Sequence, residues 1–148
     1  LGKVYQQKGQ NAEAIRHFRA FQVKDRGDLR VHIALGELYL MEGQLDAAQK
    51  ELESASRLQD KNSKIHFQLG VVYHRKNMID QAIFQYKRAI ELSPDYLDAY
   101  VNLGDLYAFR KNFSAALTAF NSVLSIDNRH PYAKKRAAEM EKTMMEQK

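Results

Sequence analysis

Four glycines set the frame of this chain. Gly2, Gly36, Gly70 and Gly104 stand 34 residues apart. Each follows a leucine (Leu1, Leu35, Leu69, Leu103), and a tyrosine comes three residues after each (Tyr5, Tyr39, Tyr73, Tyr107). Nine residues beyond each tyrosine stands an alanine: Ala14, Ala48, Ala82, Ala116. Four further on comes a large apolar side chain: Phe18, Leu52, Tyr86, Phe120. A fixed period of this size means stacked units of supersecondary structure, none of which can bury its apolar face alone.

Each unit reads as two helices. In "RVHIALGELYLME" the apolar residues Val31, Leu35, Leu38 and Tyr39 fall at helical spacing, and in "LDAAQKELESASRL" so do Leu45, Ala48, Leu52, Ala55 and Leu58. Between them Gly43-Gln44 forms a short turn, with Gly9-Gln10, Asn77-Met78 and Lys111-Asn112 as its equivalents. Glycine and asparagine suit a helix end that passes through a left-handed residue. Gly36 and Ala48 are small enough to let the paired helices approach closely. At the C-terminus, Pro131 suits a first helical turn. Ala133, Ala137, Met140 and Met144 then form one stripe, opposite lysines and glutamates, as in a helix that caps a stack.

The pattern Leu-Gly-x2-Tyr, followed by Ala-x3 and a large apolar residue, resembles the tetratricopeptide repeat (TPR) family. The family's tryptophan place holds His32, His66 and Tyr100 here. Its proline place is filled only by Pro94, with Arg26, Asp60 and Asn128 elsewhere. The resemblance implies an all-α, right-handed α-solenoid of stacked antiparallel helix pairs. It implies one domain over 1–148: a truncated repeat at 1–28, full repeats at 29–62, 63–96 and 97–130, and a capping helix at 131–147. The chain then reads as the C-terminal end of a stack, with Leu1–Lys8 expected to be poorly held unless something packs on them.

The rest of the sequence narrows function mainly by exclusion. With no cysteine, disulfides and zinc fingers are out. There is no HExxH, no glycine-rich phosphate loop and no Gly-x-Ser-x-Gly, so a non-catalytic protein without cofactor or metal is expected. His32 and His66 share one repeat place and read as packing residues rather than as a metal pair. Arg26-Gly27-Asp28 spells an adhesion tripeptide, but Asp28 reads as a helix N-cap. Lys134, Lys135 and Arg136 are followed by Glu139, Glu141 and Glu146 on the same helix, which reads as a solvated face and not a nucleic-acid site. No apolar run approaches the roughly 18 residues of a membrane span, so no membrane insertion is expected. The opening residues lack the apolar core of a secretory leader. A formal charge of +5 weakly favours acidic partners.

The resemblance also implies a groove, lined by places two, five, six and nine of each first helix. Those are Arg30, Ile33, Ala34 and Glu37, then Lys64, Phe67, Gln68 and Val71, then Asp98, Val101, Asn102 and Asp105. On the capping helix Tyr132, Lys135, Arg136 and Glu139 continue the series. Apolar Ile33, Phe67, Val71 and Val101 beside Arg30, Lys64, Asn102 and Arg136 suit an amphipathic protein or peptide ligand. Against this stands a packing role, in which the same apolar residues only bridge adjacent helices. The carboxylate clamp of TPR co-chaperones is absent: Ile33 and Glu37, Phe67 and Val71, and Val101 and Asp105 fill its Lys and Asn places. The expected function is a protein-interaction scaffold binding in the groove. The alternative is a structural segment of a longer solenoid or homo-oligomer, assembling through an open N-terminal face that includes Val4.

Overall fold

A computed structural model of the chain describes the backbone of residues 2–25 and 27–147, and the side chains of 9–25 and 27–147. The expectations for Leu1–Lys8 as packing residues, for Val4 and for Arg26 fall outside the described side chains. Eight helices follow one another among the described residues: α1 (Gly2–Lys24), α2 (Leu29–Met41), α3 (Leu45–Leu58), α4 (Ser63–Arg75), α5 (Ile79–Leu92), α6 (Leu97–Phe109), α7 (Phe113–Ile126) and α8 (Pro131–Glu146). No strand occurs among the described residues. α2 pairs with α3, α4 with α5 and α6 with α7, and α8 lies on α7. This is the expected α-solenoid.

The recurrent residues hold each pair together. Leu35, Ala48, Leu52, Ala82, Tyr86, Ala116 and Phe120 are fully buried. The glycines are where the two helices touch. A Cβ on Gly36 would lie 2.6 Å from Leu52, one on Gly70 2.6 Å from the Tyr86 ring, and one on Gly104 2.8 Å from the Phe120 ring. A side chain there would force either the facing residue or the helix itself to shift, and Ala48, Ala82 and Ala116 keep the opposing face small. The recurrent tyrosines reach instead to the preceding unit. Tyr39 lies under the Arg19 guanidinium at 5.9 Å, Tyr73 donates to Glu53 at 3.0 Å, and Tyr107 lies under the Lys87 ammonium at 5.9 Å. All three contacts run twenty residues back, so one signature position ties unit to unit.

The turns pass through a left-handed residue as expected, at Gly43 (φ +73°), Asn77 (φ +58°) and Lys111 (φ +58°). The equivalent Gly9-Gln10 turn does not form. α1 runs unbroken through it. Elsewhere an apolar residue, Leu45, Ile79 or Phe113, starts the second helix, and Ile79 and Phe113 pack into core clusters. In α1 that place is Asn11, which is buried and donates to Glu42 Oε1 at 2.8 Å. The hydrophobic contact that helps close the other hairpins is missing, so the local preference for continued helix wins.

Helix starts follow local chemistry. Asp28 accepts from Arg30 N (2.9 Å), and Asn62 from Lys64 N (3.1 Å) and Ile65 N (3.3 Å). The Asp28 carboxyl is held below its usual range by the Arg30 side chain, which also bonds it. Pro131 opens α8, where His130 Nδ1 accepts from Ala133 N at 3.2 Å. Ala133, Ala137 and Met140 are buried against α7, while Met145 is exposed.

Candidate interaction surface

The predicted groove residues sit on α2, α4, α6 and α8, the first helices of successive units. Two polar links join neighbours along this row. Glu37 on α2 accepts from Lys64 Nζ at 2.5 Å and from Gln68 Nε2 at 2.7 Å on α4. Asp105 on α6 accepts from Tyr132 OH at 2.9 Å and from Arg136 Nε at 3.0 Å on α8. Arg136 also reaches Glu139 at 2.7 Å and lies 5.5 Å over the Phe120 ring. Burial, and then the Asp105 carboxylate that it bonds, push the Tyr132 phenol up. The structure thus brings together Glu37, Lys64 and Gln68 at one place, and Asp105, Tyr132, Arg136 and Glu139 at another.

Between the two links the row is mainly apolar. Ile33, Phe67, Val71 and Val101 are half-buried, and each packs against a core cluster. Phe67 is the most engaged, its ring 5.8 Å from that of Tyr86 and 5.0 Å from that of Tyr96. It therefore carries packing as well as surface. The Asn102 side chain is half-buried and has no hydrogen-bond partner among the described residues. Gln68 Oε1 is buried without a partner among the described residues. Arg30 points away to Asp28, and Asp98 and Lys135 are exposed.

Sequence reasoning missed Tyr96, which closes the Phe67 end of this surface. It is the residue just before α6, and an aromatic there was the available signal. Also missed were the partners of the histidines. His32 Nδ1 lies 2.7 Å from Glu51 Oε2, which also accepts from Gln22 at 2.8 Å. His66 Nδ1 lies 2.7 Å from Gln85 Oε1, and its Nε2 donates to the Asp60 carbonyl at 2.7 Å. Both rings are buried between the helices of their own pair and bonded nineteen residues on, as packing residues with a polar edge.

The N-terminal end carries a separate concavity. His17, Phe18, Phe21, Asp28, Arg30 and Val31 line about 550 Å³ between α1 and α2. It shares only Arg30 with the predicted groove.

Models of the tetratricopeptide repeat match residues 5–69, 75–109 and 97–130. A search of curated protein sequences returned no match. Among solved structures, the crystal structure of MamA is 24% identical with a TM-score of 0.88, over 97% of this chain and 84% of that one. YrrB, described as a TPR protein with an unusual peptide-binding site, is 20% identical with a TM-score of 0.80, over 97% of this chain and 74% of that one. TTC0263, a thermophilic TPR protein in Thermus thermophilus, is 21% identical with a TM-score of 0.73, over 95% of this chain and 77% of that one. At these identities the likeness is one of fold. No described helix is long and apolar enough to cross a membrane.

Proposed function

The chain belongs to the tetratricopeptide repeat family, whose repeats are generally non-catalytic protein-interaction scaffolds, and on that premise we propose that the row of first helices binds a peptide or short helix of a partner protein. One observation supports this most. Between the two polar links lies a half-exposed strip of Val71 and Val101 with an unpartnered Asn102 beside it. A ligand's apolar side chains fit the valines, and the Asn102 amide can both donate to and accept from its backbone. The links at Glu37 and Asp105 hold the flanking helices in place, so the strip is largely formed before binding.

The test starts from amphipathic peptides selected from a displayed library on the wild-type chain. Their affinities are then measured for an Asn102→Ala/Val101→Thr variant, which keeps Phe67 and side-chain volume at position 101. Loss of the central contacts is expected to weaken binding about ten-fold or more. Unchanged affinity, with the variant folded by circular dichroism, would sink the groove reading.

A further inference from the structure

An acid at the ninth place of a first helix ties one unit to the next at both ends of the row, but not in its middle. Glu37 on α2 accepts from Lys64 and Gln68, and Asp105 on α6 accepts from Tyr132 and Arg136. Both times the partners stand at the second and sixth places of the following first helix. At the step from α4 to α6 the same register sets Val71 against Asp98 and Asn102. Valine can bond neither of them. Asp98 is exposed and Asn102 half-buried, and neither has a hydrogen bond or an ion pair among the described residues.

The cations of the neighbouring links are engaged elsewhere, Lys64 with Glu37, and Arg136 with Asp105 and Glu139. Asp98 suits the first turn of α6 through the helix dipole. That accounts for an acid at this place, but not for the missing partner across from it. Val71 and Val101 lie half-exposed beside it, and Phe109, eleven residues past Asp98 on the same face of α6, is 72% exposed. This face runs from an unpaired carboxylate to an exposed aromatic over about 17 Å.

We propose that the ligand of this row is a basic amphipathic peptide. Its Lys or Arg side chain sits between Asp98 and Asn102, and its apolar side chains cover Val71, Val101 and Phe109. Such a ligand presupposes the peptide groove proposed above and adds its charge. The ligand's cation supplies the link that Val71 cannot make, donating to the Asp98 carboxylate and to the Asn102 carbonyl oxygen. The whole chain carries +5, so the attraction belongs to this step of the row and not to the overall field.

A displayed library of random peptides of about 16 residues, long enough to span this face as a helix, is selected in parallel on wild type, Asp98→Asn and Asp98→Lys. Asp98 is exposed, so both variants are expected to fold, which circular dichroism checks. The wild-type pool is expected to be enriched in Lys and Arg among its apolar residues. Asp98→Asn is expected to lose that enrichment, and Asp98→Lys to select acidic residues instead, a reversal that a purely structural role for Asp98 would not produce. The tightest wild-type peptide, synthesised, is expected to bind Asp98→Asn about five- to ten-fold more weakly, as is its Gln-substituted form to wild type, with no further loss when the two changes are combined. Additive losses would place the peptide's cation elsewhere and overturn the proposal. The Asn102→Ala/Val101→Thr variant separates this proposal from the groove itself. If it loses the peptides while the wild-type pool shows no basic preference, or while Asp98→Asn keeps full affinity, the groove stands and the basic ligand is wrong. If it binds them as wild type does, or if the library yields no binder, both fall.

Discussion

The glycine of each pair is constrained by what faces it, and the faces differ. At Gly70 an added methyl meets Cδ1 and Cε1 of Tyr86, a rigid ring with no exposed surface. At Gly36 it meets the branched end of Leu52, which can change rotamer. Alanine's helix preference over glycine, about 1 kcal/mol, is the same at both sites and cancels in the comparison. Gly70→Ala is expected to cost about 1–3 kcal/mol and to exceed the cost of Gly36→Ala. Urea midpoints at an unchanged m-value measure the difference, and the reverse order would show that the Tyr86 ring moves easily.

Helices in this chain end well or badly at the turn. Gly43 takes the left-handed conformation without a Cβ, and Asn77 is the next most tolerant residue. Lys111 takes the same conformation with a long side chain and no local compensation. Lys111→Gly should therefore stabilise the chain by about 1 kcal/mol, raising Tm by roughly 2–4 °C. A melt that is unchanged or lower would mean the glycine's unfolded-state entropy outweighs the relieved strain. Beside each turn runs a polar clasp to the neighbouring unit: Asn11 with Glu42, Lys76 with Asp46 (2.6 Å) and Arg110 with Asp80 (2.6 Å). The two ion pairs have highly exposed aspartates and add register more than stability.

Across the whole molecule, two tyrosines in the central pair and its approach make stability depend on alkaline pH. Burial and then the Glu53 carboxylate push the Tyr73 phenol from 10.0 up to about 12. Burial pushes Tyr86 higher still, and its hydroxyl has no partner among the described residues. Both favour the neutral phenol in the folded state. Their contribution is whole below pH 10, where the unfolded phenols are also neutral. It falls as pH rises from 10 through about 12, because the unfolded chain ionises first. Melts followed by far-ultraviolet circular dichroism from about pH 9 to about pH 11 should show Tm falling above pH 10. Tyr86→Phe should reduce that slope and raise Tm at neutral pH, since it removes a buried unpaired hydroxyl worth about 1–3 kcal/mol. An identical slope in the variant would place the alkaline transition elsewhere.

The 34-residue period alone determined the helix pairs, the close contact at Gly36, Gly70 and Gly104, and the left-handed turns at Gly43 and Asn77, because these are contacts within one unit and each unit repeats them. The carriers of the row of first helices were legible for the same reason. What that row does with them was not. Glu37 meets Lys64 and Gln68, and Asp105 meets Tyr132 and Arg136, across units, where reach and side-chain direction depend on how far one pair is turned against the next. The Gly9-Gln10 turn was read from the period and is absent. A repeat position states a preference, whereas a hairpin closes only when its two helices have a face to share, and Asn11 in place of an apolar residue withholds part of it. Phe18 and Phe21 on α1 stay more exposed than their counterparts Leu52 and Ala55 one period on, a difference of packing that only the tertiary structure could disclose.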